Sequence, residues 1–92
     1  MKTIWKYETE TTDEFELQMP QGACILDLQI QRGVPCIWVE VDPSAEKVSK
    51  VFRVFGTGHT IPEKERVAYN YCGTYQLTVA NLVFHLYEVL EY

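Results

Sequence analysis

Alternation between apolar and polar residues limits this chain to a fold built from β-strands. Residues 14–19 alternate without exception, and one face of the segment carries three apolar side chains: Phe15, Leu17 and Met19. Residues 23–31 repeat the alternation, with Ile25 out of place and four residues expected to face inward: Cys24, Leu26, Leu28 and Ile30. Successive side chains of a strand point to opposite faces, so a period of two predicts half-buried antiparallel strands.

Segments of this kind follow one another along the chain, separated by turn-forming residues. We predict strands at residues 2–8, 14–19, 23–31, 34–41, 48–55, 67–79 and 82–90. The last segment also fits a helical stripe, but its β-branched and aromatic residues favour a strand. The predicted fold is therefore all-β: a single-domain antiparallel β-sandwich or small barrel of about seven short strands.

Residues 34–41 are apolar on both faces until Glu40, and residues 82–90 form a second strongly apolar run. A segment that is apolar on both faces is expected in a strand that is covered on both sides or lies at a subunit contact. We expect Trp38 to anchor the core. We also expect a homodimer or a higher homo-oligomer, because the two segments offer more apolar surface than one small core absorbs.

The balance of charge restricts the class of partner. The formal net charge is −5, and the eight basic residues are not clustered. Long nucleic acid is excluded as a partner, because its binding depends on many Lys and Arg side chains that neutralise phosphates. A small phosphorylated ligand needs only one or two such groups and stays compatible with an acidic surface.

No apolar run approaches the roughly 18 residues that a membrane-spanning helix needs, so we expect a cytoplasmic protein with no membrane partner. The three cysteines, Cys24, Cys36 and Cys72, form no C-x-x-C pair and have no neighbouring histidine. The usual zinc patterns are therefore absent, and no metal or cofactor is expected. Each cysteine lies in an apolar context, which predicts a buried, reduced and inert thiol.

The segment VFRVFGTGHTIP carries the pattern most typical of a binding site. Gly56 and Gly58 both permit positive φ, so the backbone N–H groups of Thr57, Gly58 and His59 are expected to converge into an anion-binding nest. Arg53 precedes the turn on the same strand and would add a positive charge. An ordinary turn at the end of a strand explains the same residues equally well.

Gly73, in the middle of the segment 67–79, indicates a bulge, a bend or a break between two strands, and the tyrosines around it form a second candidate site. Tyr69, Tyr71 and Tyr75 are expected to present aromatic faces on which a base stacks, although core packing or a subunit interface explains them equally well. His85 lies in an apolar run, which favours a core or interface histidine over a catalyst. No arrangement typical of nucleophilic or acid–base catalysis occurs, so we do not expect an enzyme.

Five segments carry a resemblance to a known group of proteins: MKTIWKY, GVPCIWVEVDP, FRVFGTGHTI, GTYQL and LVFHLYE. Together they resemble a family of small, mostly uncharacterised proteins encoded by phages and prophages. The resemblance covers nearly the whole chain, and GTGH is its most specific part. It implies no catalytic residues.

By analogy with phage proteins that counter host immunity, this resemblance implies a non-enzymatic protein in the host cytosol that sequesters a small nucleotide-derived immune signal. The ligand would be a cyclic nucleotide or an ADP-ribose derivative. The predicted ligand-binding residues are Arg53, Gly56, Thr57, Gly58, His59, Tyr71 and Tyr75. The alternative is a protein–protein interaction module that uses an exposed strand edge or the doubly apolar segment VPCIWV.

Overall fold

The computed structural model describes residues 1–92 and contains seven β-strands. They are β1 (Thr3–Glu8), β2 (Glu14–Pro20), β3 (Cys24–Gln31), β4 (Val34–Val41), β5 (Lys47–Gly56), β6 (Val67–Leu77) and β7 (Leu82–Glu91). The all-β prediction is confirmed, and the ambiguous last segment is a strand. No helix in the structure has the length and apolarity that crossing a membrane requires.

The strands form two antiparallel sheets that pack face to face as a sandwich. Sheet A has the order β1-β4-β3, and sheet B has the order β2-β5-β7-β6. The molecule measures 40 × 37 × 16 Å, so it is thin in the direction in which the sheets are stacked. Each sheet has one face toward the core and one outer face.

The core fills the space between the sheets. Phe15 of β2 stacks on Phe52 of β5 with ring centroids 5.3 Å apart. The core residues come from six of the seven strands: Phe15, Met19, Leu28, Ile37, Val39, Val41, Phe52, Val54, Tyr75 and Leu86. Only β1 supplies none, although its Trp5 and Tyr7 pack against the cluster.

The two strongly apolar segments, residues 34–41 and 82–90, are inner strands of their sheets. β4 lies between β1 and β3, and β7 lies between β5 and β6. An inner position pairs both edges of a strand but does not cover its outer face, where Trp38 of β4 and Tyr87 of β7 are half-buried. The prediction that Trp38 anchors the core is wrong, because Ile37 and Val39 occupy the core face and Trp38 points outward, where it is half-buried.

The inward face predicted for β3 is only partly correct. The pairing with β4 shifts between Ile25 and Asp27, which leaves Leu26 as the extra residue of a β-bulge. Ile25 packs against the core, whereas Cys24, Leu26 and Ile30 are exposed. Leu28 is the one residue of the expected four that is buried. Strict alternation predicts the wrong faces because the extra residue of the bulge shifts the alternation by one position. Residues 24 and 28, which alternation places on one face, therefore point to opposite faces of the sheet.

Candidate functional site

A second bulge separates the two tyrosines that were predicted to bind a ligand together. The register between β6 and β7 shifts between Tyr71 and Gly73, so Cys72 is the extra residue. Tyr71 lies on the outer face of sheet B and is 56% exposed. Tyr75 points into the core, is 5% exposed and bonds through its hydroxyl to Thr11 over 2.8 Å. The prediction that Tyr75 stacks on a ligand is therefore wrong.

The turn Gly56–His59 does not form the expected nest. Its ends are joined by a hydrogen bond of 3.0 Å, which the His59 N–H donates to the Gly56 carbonyl. The Thr57 N–H donates to the Val83 carbonyl over 3.3 Å and so continues the ladder of sheet B. Only the Gly58 N–H lacks a protein acceptor. The nest prediction is wrong because backbone pairing uses two of its three donors.

The two glycines of the turn serve different purposes. Gly58 has φ of +89°, as predicted. Gly56 does not have a positive φ, and its role is steric: a Cβ at this position would lie 2.9 Å from Cε1 of His59. The missing side chain lets the imidazole ring of His59 lie against the backbone at position 56, on the side of the strand that is also faced by Phe84, the partner of Gly56 in β7.

A shallow depression of about 240 Å³ lies beside this turn. Its lining joins the turn to the neighbouring strands and consists of Phe55, Gly56, Thr57, Gly58, His59, Ile61, His85 and Tyr87. The structure thus brings four predicted site residues, those at positions 56–59, together with four residues that the sequence did not single out as ligands. These are Phe55, Ile61, His85 and Tyr87.

Arg53 does not line this depression. Its guanidinium lies 5.1 Å from the centroid of the Phe55 ring, and its Nε donates to the Asp13 carbonyl over 2.9 Å. It lines a separate depression of about 250 Å³ that also contains three glutamates: Glu14, Glu16 and Glu91. The turn and Arg53 are thus on the same face of sheet B but are not neighbours in one site.

His85 is the centre of a hydrogen-bond chain across this face. Its Nε2 bonds to the Thr57 hydroxyl over 2.7 Å, and its Nδ1 bonds to the Thr74 hydroxyl over 2.9 Å. Thr74 in turn bonds to the hydroxyl of Tyr71. Threonine hydroxyls both donate and accept, so this chain accommodates either imidazole tautomer. The chain consists of four side chains, and it connects Tyr71 to the turn through Thr74, His85 and Thr57.

Aromatic rings cover the middle of the same face. Phe55 is only 5% exposed although it points away from the core. Its ring lies 5.7 Å from that of Tyr87 and 5.8 Å from that of Tyr69, both edge to face. Tyr71 lies against Tyr87 at 5.4 Å and leaves its other side exposed. We call the residues Phe55, Tyr69, Tyr71 and Tyr87 the tyrosine face.

A buried ion pair lies on the opposite, core-facing side of sheet B. Lys50 pairs with Glu88, which also accepts a hydrogen bond of 3.3 Å from the Asn70 amide. The pairing of β5 with β7 begins at Val51 and Val89, and a cleft of about 400 Å³ lies beyond it next to the ion pair. The polar atoms of this group satisfy one another, so nothing here points to a ligand.

Burial and the nearby Glu88 carboxylate raise the pKa of Cys72 to about 11. Cys36 is buried, and all three cysteines are free. Cys24 is exposed, so the prediction that every thiol is buried is wrong. The reason is that Cys24 lies on the outer face of sheet A, opposite Glu40 of β4.

The sequence did not identify His85 and Tyr87 as site residues because their relevance depends on strand register. Phe55 lies opposite His85, and Arg53 lies opposite Tyr87. Those pairs become visible only when β5 is known to pair with β7. One sequence feature could have identified them: His85 and Tyr87 are polar or amphipathic residues two positions apart in an apolar strand, so they share its outer face.

Across the chain, no three His, Cys, Asp or Glu side chains are grouped closely enough to hold a metal ion. No curated protein and no solved structure matches the chain. A family model does match it over residues 1–91, and that family is described as a domain of unknown function. The protein therefore belongs to the DUF7352 family.

Proposed function

We propose that this protein binds a small nucleotide-derived ligand without altering it, on the outer face of sheet B. The observation that carries the proposal is that His85 and Tyr71 share one surface beside the turn that carries His59. One hydrogen-bond chain links His85 to Tyr71, and His59 lines the same depression as His85. Groups that recognise phosphate and groups that stack on bases thus lie side by side.

The depression is large enough to hold only part of such a ligand. Small-molecule sites have volumes of about 300–1,000 Å³, and this depression has about 240 Å³. It therefore suits one phosphate or ribose, while the base extends over the adjacent tyrosine face. The exposed side of Tyr71 supplies the stacking surface that a base needs.

Two donors at the turn suit a phosphate oxygen. The Gly58 N–H has no protein acceptor, and the adjacent His59 imidazole is exposed. Hydrogen bonds from an imidazolium to a phosphate are charge-assisted and about twice as strong as neutral ones. Arg53 is 5.1 Å from Phe55 on the far side of the aromatic group, where it contributes long-range attraction to an anion.

The biological role in this proposal is sequestration. In a phage-encoded protein, binding without turnover would remove a nucleotide immune signal from the host cytosol. The resemblance of the five segments named above to phage and prophage proteins supports this part of the proposal. The ligand class is a cyclic nucleotide or an ADP-ribose derivative.

Calorimetry against cyclic dinucleotides, cyclic trinucleotides and cyclic ADP-ribose isomers tests the proposal. For a ligand that binds, His59→Ala should weaken binding by about 1.5–3 kcal/mol, and Tyr71→Ala by about 1–3 kcal/mol. Tyr75→Phe is the control, because it keeps the ring and alters a tyrosine on the core face. A folded protein that binds nothing in the panel, or a ligand whose affinity is unchanged by both alanine substitutions, would contradict the proposal.

A protein–protein interaction module is the second candidate function. The observation that favours it is that the site is open to solvent: its large side chains Tyr71 and Ile61 are 56% and 39% exposed. Segment VPCIWV is not available for strand addition, because β4 is paired on both sides. A protein recovered in a pull-down and released by Tyr71→Ala, together with silence across the nucleotide panel, would favour this candidate.

A further inference from the structure

We propose that β1 is a self-association edge, at which a second copy of this chain pairs antiparallel to β1 with Trp5 opposite Trp5. This inference does not depend on the proposed ligand, because β1 belongs to sheet A and the ligand face belongs to sheet B.

The four edge strands differ in how well they accept another strand. β2 ends at Pro20 and carries two charges of the same sign, Glu14 and Glu16, on one face, so pairing with a second copy would bring like charges together. β3 and β6 are each interrupted by a bulge. β1 has neither a bulge nor a proline and pairs regularly with β4 along its whole length. It is the edge best suited to strand addition.

The free hydrogen-bonding groups of β1 belong to its even-numbered residues. The Thr9 N–H donates to the Pro35 carbonyl of β4, which places the backbone of position 9 on the β4 side. The N–H and C=O groups of successive residues in a strand point to alternate sides, so positions 3, 5 and 7 also face β4. Ile4, Lys6 and Glu8 therefore direct their backbone groups toward the open edge.

Symmetry limits the registers that two copies can adopt. In a twofold pairing within one continuous sheet, opposite residues share a face, so the sum of their numbers is even. With Trp5 at the centre, Ile4 lies opposite Lys6, and Lys2 lies opposite Glu8. This register aligns the backbone groups of all the even positions and uses the full length of β1.

The charges select the same register. Centring on Trp5 places Lys2 of each copy, whose ammonium also lies 3.6 Å from Glu40 of its own chain, opposite Glu8 of the other copy, which gives two complementary pairs. Centring on Ile4 would place Lys2 opposite Lys6, and centring on Lys6 would place two lysines opposite each other. Both alternatives oppose like charges. Of these three registers, only the one centred on Trp5 places opposite charges across from each other.

The surface area of the single chain is consistent with a missing partner. The accessible surface is 6203 Å², whereas a monomeric protein of this mass is expected to have about 5,500 Å². Ile4 is 56% exposed on the outer face of sheet A, beside the proposed contact. Pairing of two β1 strands would join two three-stranded sheets into one of six strands.

Analytical ultracentrifugation of the full chain tests the interface with charge-reversal variants. We expect the unmodified protein to sediment as a dimer of twice 10.7 kDa. Glu8→Lys should raise the dimer dissociation constant at least tenfold, because Lys2 then faces a lysine. Adding Lys2→Glu to that variant should restore the dimer. Glu10→Lys is the matched control, since it makes the same change in charge beyond the end of β1.

Amide hydrogen exchange provides a second readout that does not depend on substitutions. In the dimer the N–H groups of Ile4 and Lys6 should be protected, and dilution to monomer should release them while Trp5 and Tyr7 stay protected. A folded monomer at all concentrations would overturn the proposal. So would a dimer that Glu8→Lys leaves intact, or one in which Ile4 and Lys6 exchange freely.

Discussion

Two glycines admit a neighbouring side chain into space that a Cβ would otherwise occupy. At Gly73 the Cβ would lie 2.9 Å from Cβ of Leu28, and φ is +153°. At Gly56 the nearest atoms belong to the end of the His59 side chain. The first contact joins the two sheets and cannot adjust without moving a strand. The second relaxes when the imidazole ring turns away.

Alanine substitution at these two positions should therefore give different results. Gly73→Ala should lower the free energy of unfolding by about 1–3 kcal/mol, since it overpacks the core at a strained φ. Gly56→Ala should change it by no more than about 0.5 kcal/mol, because only a surface ring moves. Urea denaturation of both variants measures the difference. Equal losses of stability in the two variants would contradict the distinction between a rigid contact at Gly73 and an adjustable contact at Gly56.

The three cysteines should react with a thiol reagent in the order of their accessibility. Cys24 is exposed and should be labelled first in the native protein. Cys72 should follow slowly, because burial and Glu88 raise its pKa to about 11 and leave little thiolate at neutral pH. Cys36 should react only on unfolding. Mass spectrometry of partially labelled protein gives the order, and early labelling of Cys36 would contradict its burial.

The bulge at Cys72 gives β6 two different faces on either side of it. Tyr75 is buried among core residues and contacts Phe84 with ring centroids 5.7 Å apart. Tyr71 is on the surface. Tyr75→Ala should therefore cost about 3–5 kcal/mol of stability, as loss of a buried ring does, and Tyr71→Ala less than about 1 kcal/mol. Thermal or urea unfolding distinguishes them, and similar losses would mean that the register shift is misplaced.

The number of strands and the all-β class follow from alternation, which is a local property that the sequence displays. The faces of β3 and β6 do not follow from it, because each contains a bulge. Gly73 indicated an irregularity in β6 without showing how the faces change across it, and no residue of β3 marked its bulge. Tyr75 was assigned to the wrong face for this reason. His85 was not recognised as part of the site because its neighbours Thr57 and Thr74 lie on other strands or turns.

The molecule as a whole should lose stability at alkaline pH. Burial raises the pKa of Cys72 to about 11 from 9.0, and burial also raises the pKa of Tyr75 and of Tyr7 above 10.0. These groups bind their protons more tightly in the folded state, so their stabilising effect is complete below about pH 9 and is lost as the pH rises toward 11. A series of melting temperatures from pH 8 to 11 measures the decline.

Cys72→Ala should flatten that decline, because it removes the group with the largest resolved shift. The tyrosines remain and should leave a smaller decrease at higher pH. A melting temperature that is constant from pH 8 to 11 in the unmodified protein would contradict the burial of all three groups.

The central claim is that the outer face of sheet B binds a nucleotide-derived ligand, and a titration followed by nuclear magnetic resonance tests it most directly. Isotopically labelled protein is titrated with each cyclic dinucleotide, cyclic trinucleotide and cyclic ADP-ribose isomer. The account predicts that a binding ligand shifts the signals of Gly58, His59, Tyr71 and His85 and leaves those of β1 unchanged. No shift with any ligand, or shifts confined to the cleft beside Lys50 and Glu88, would contradict it.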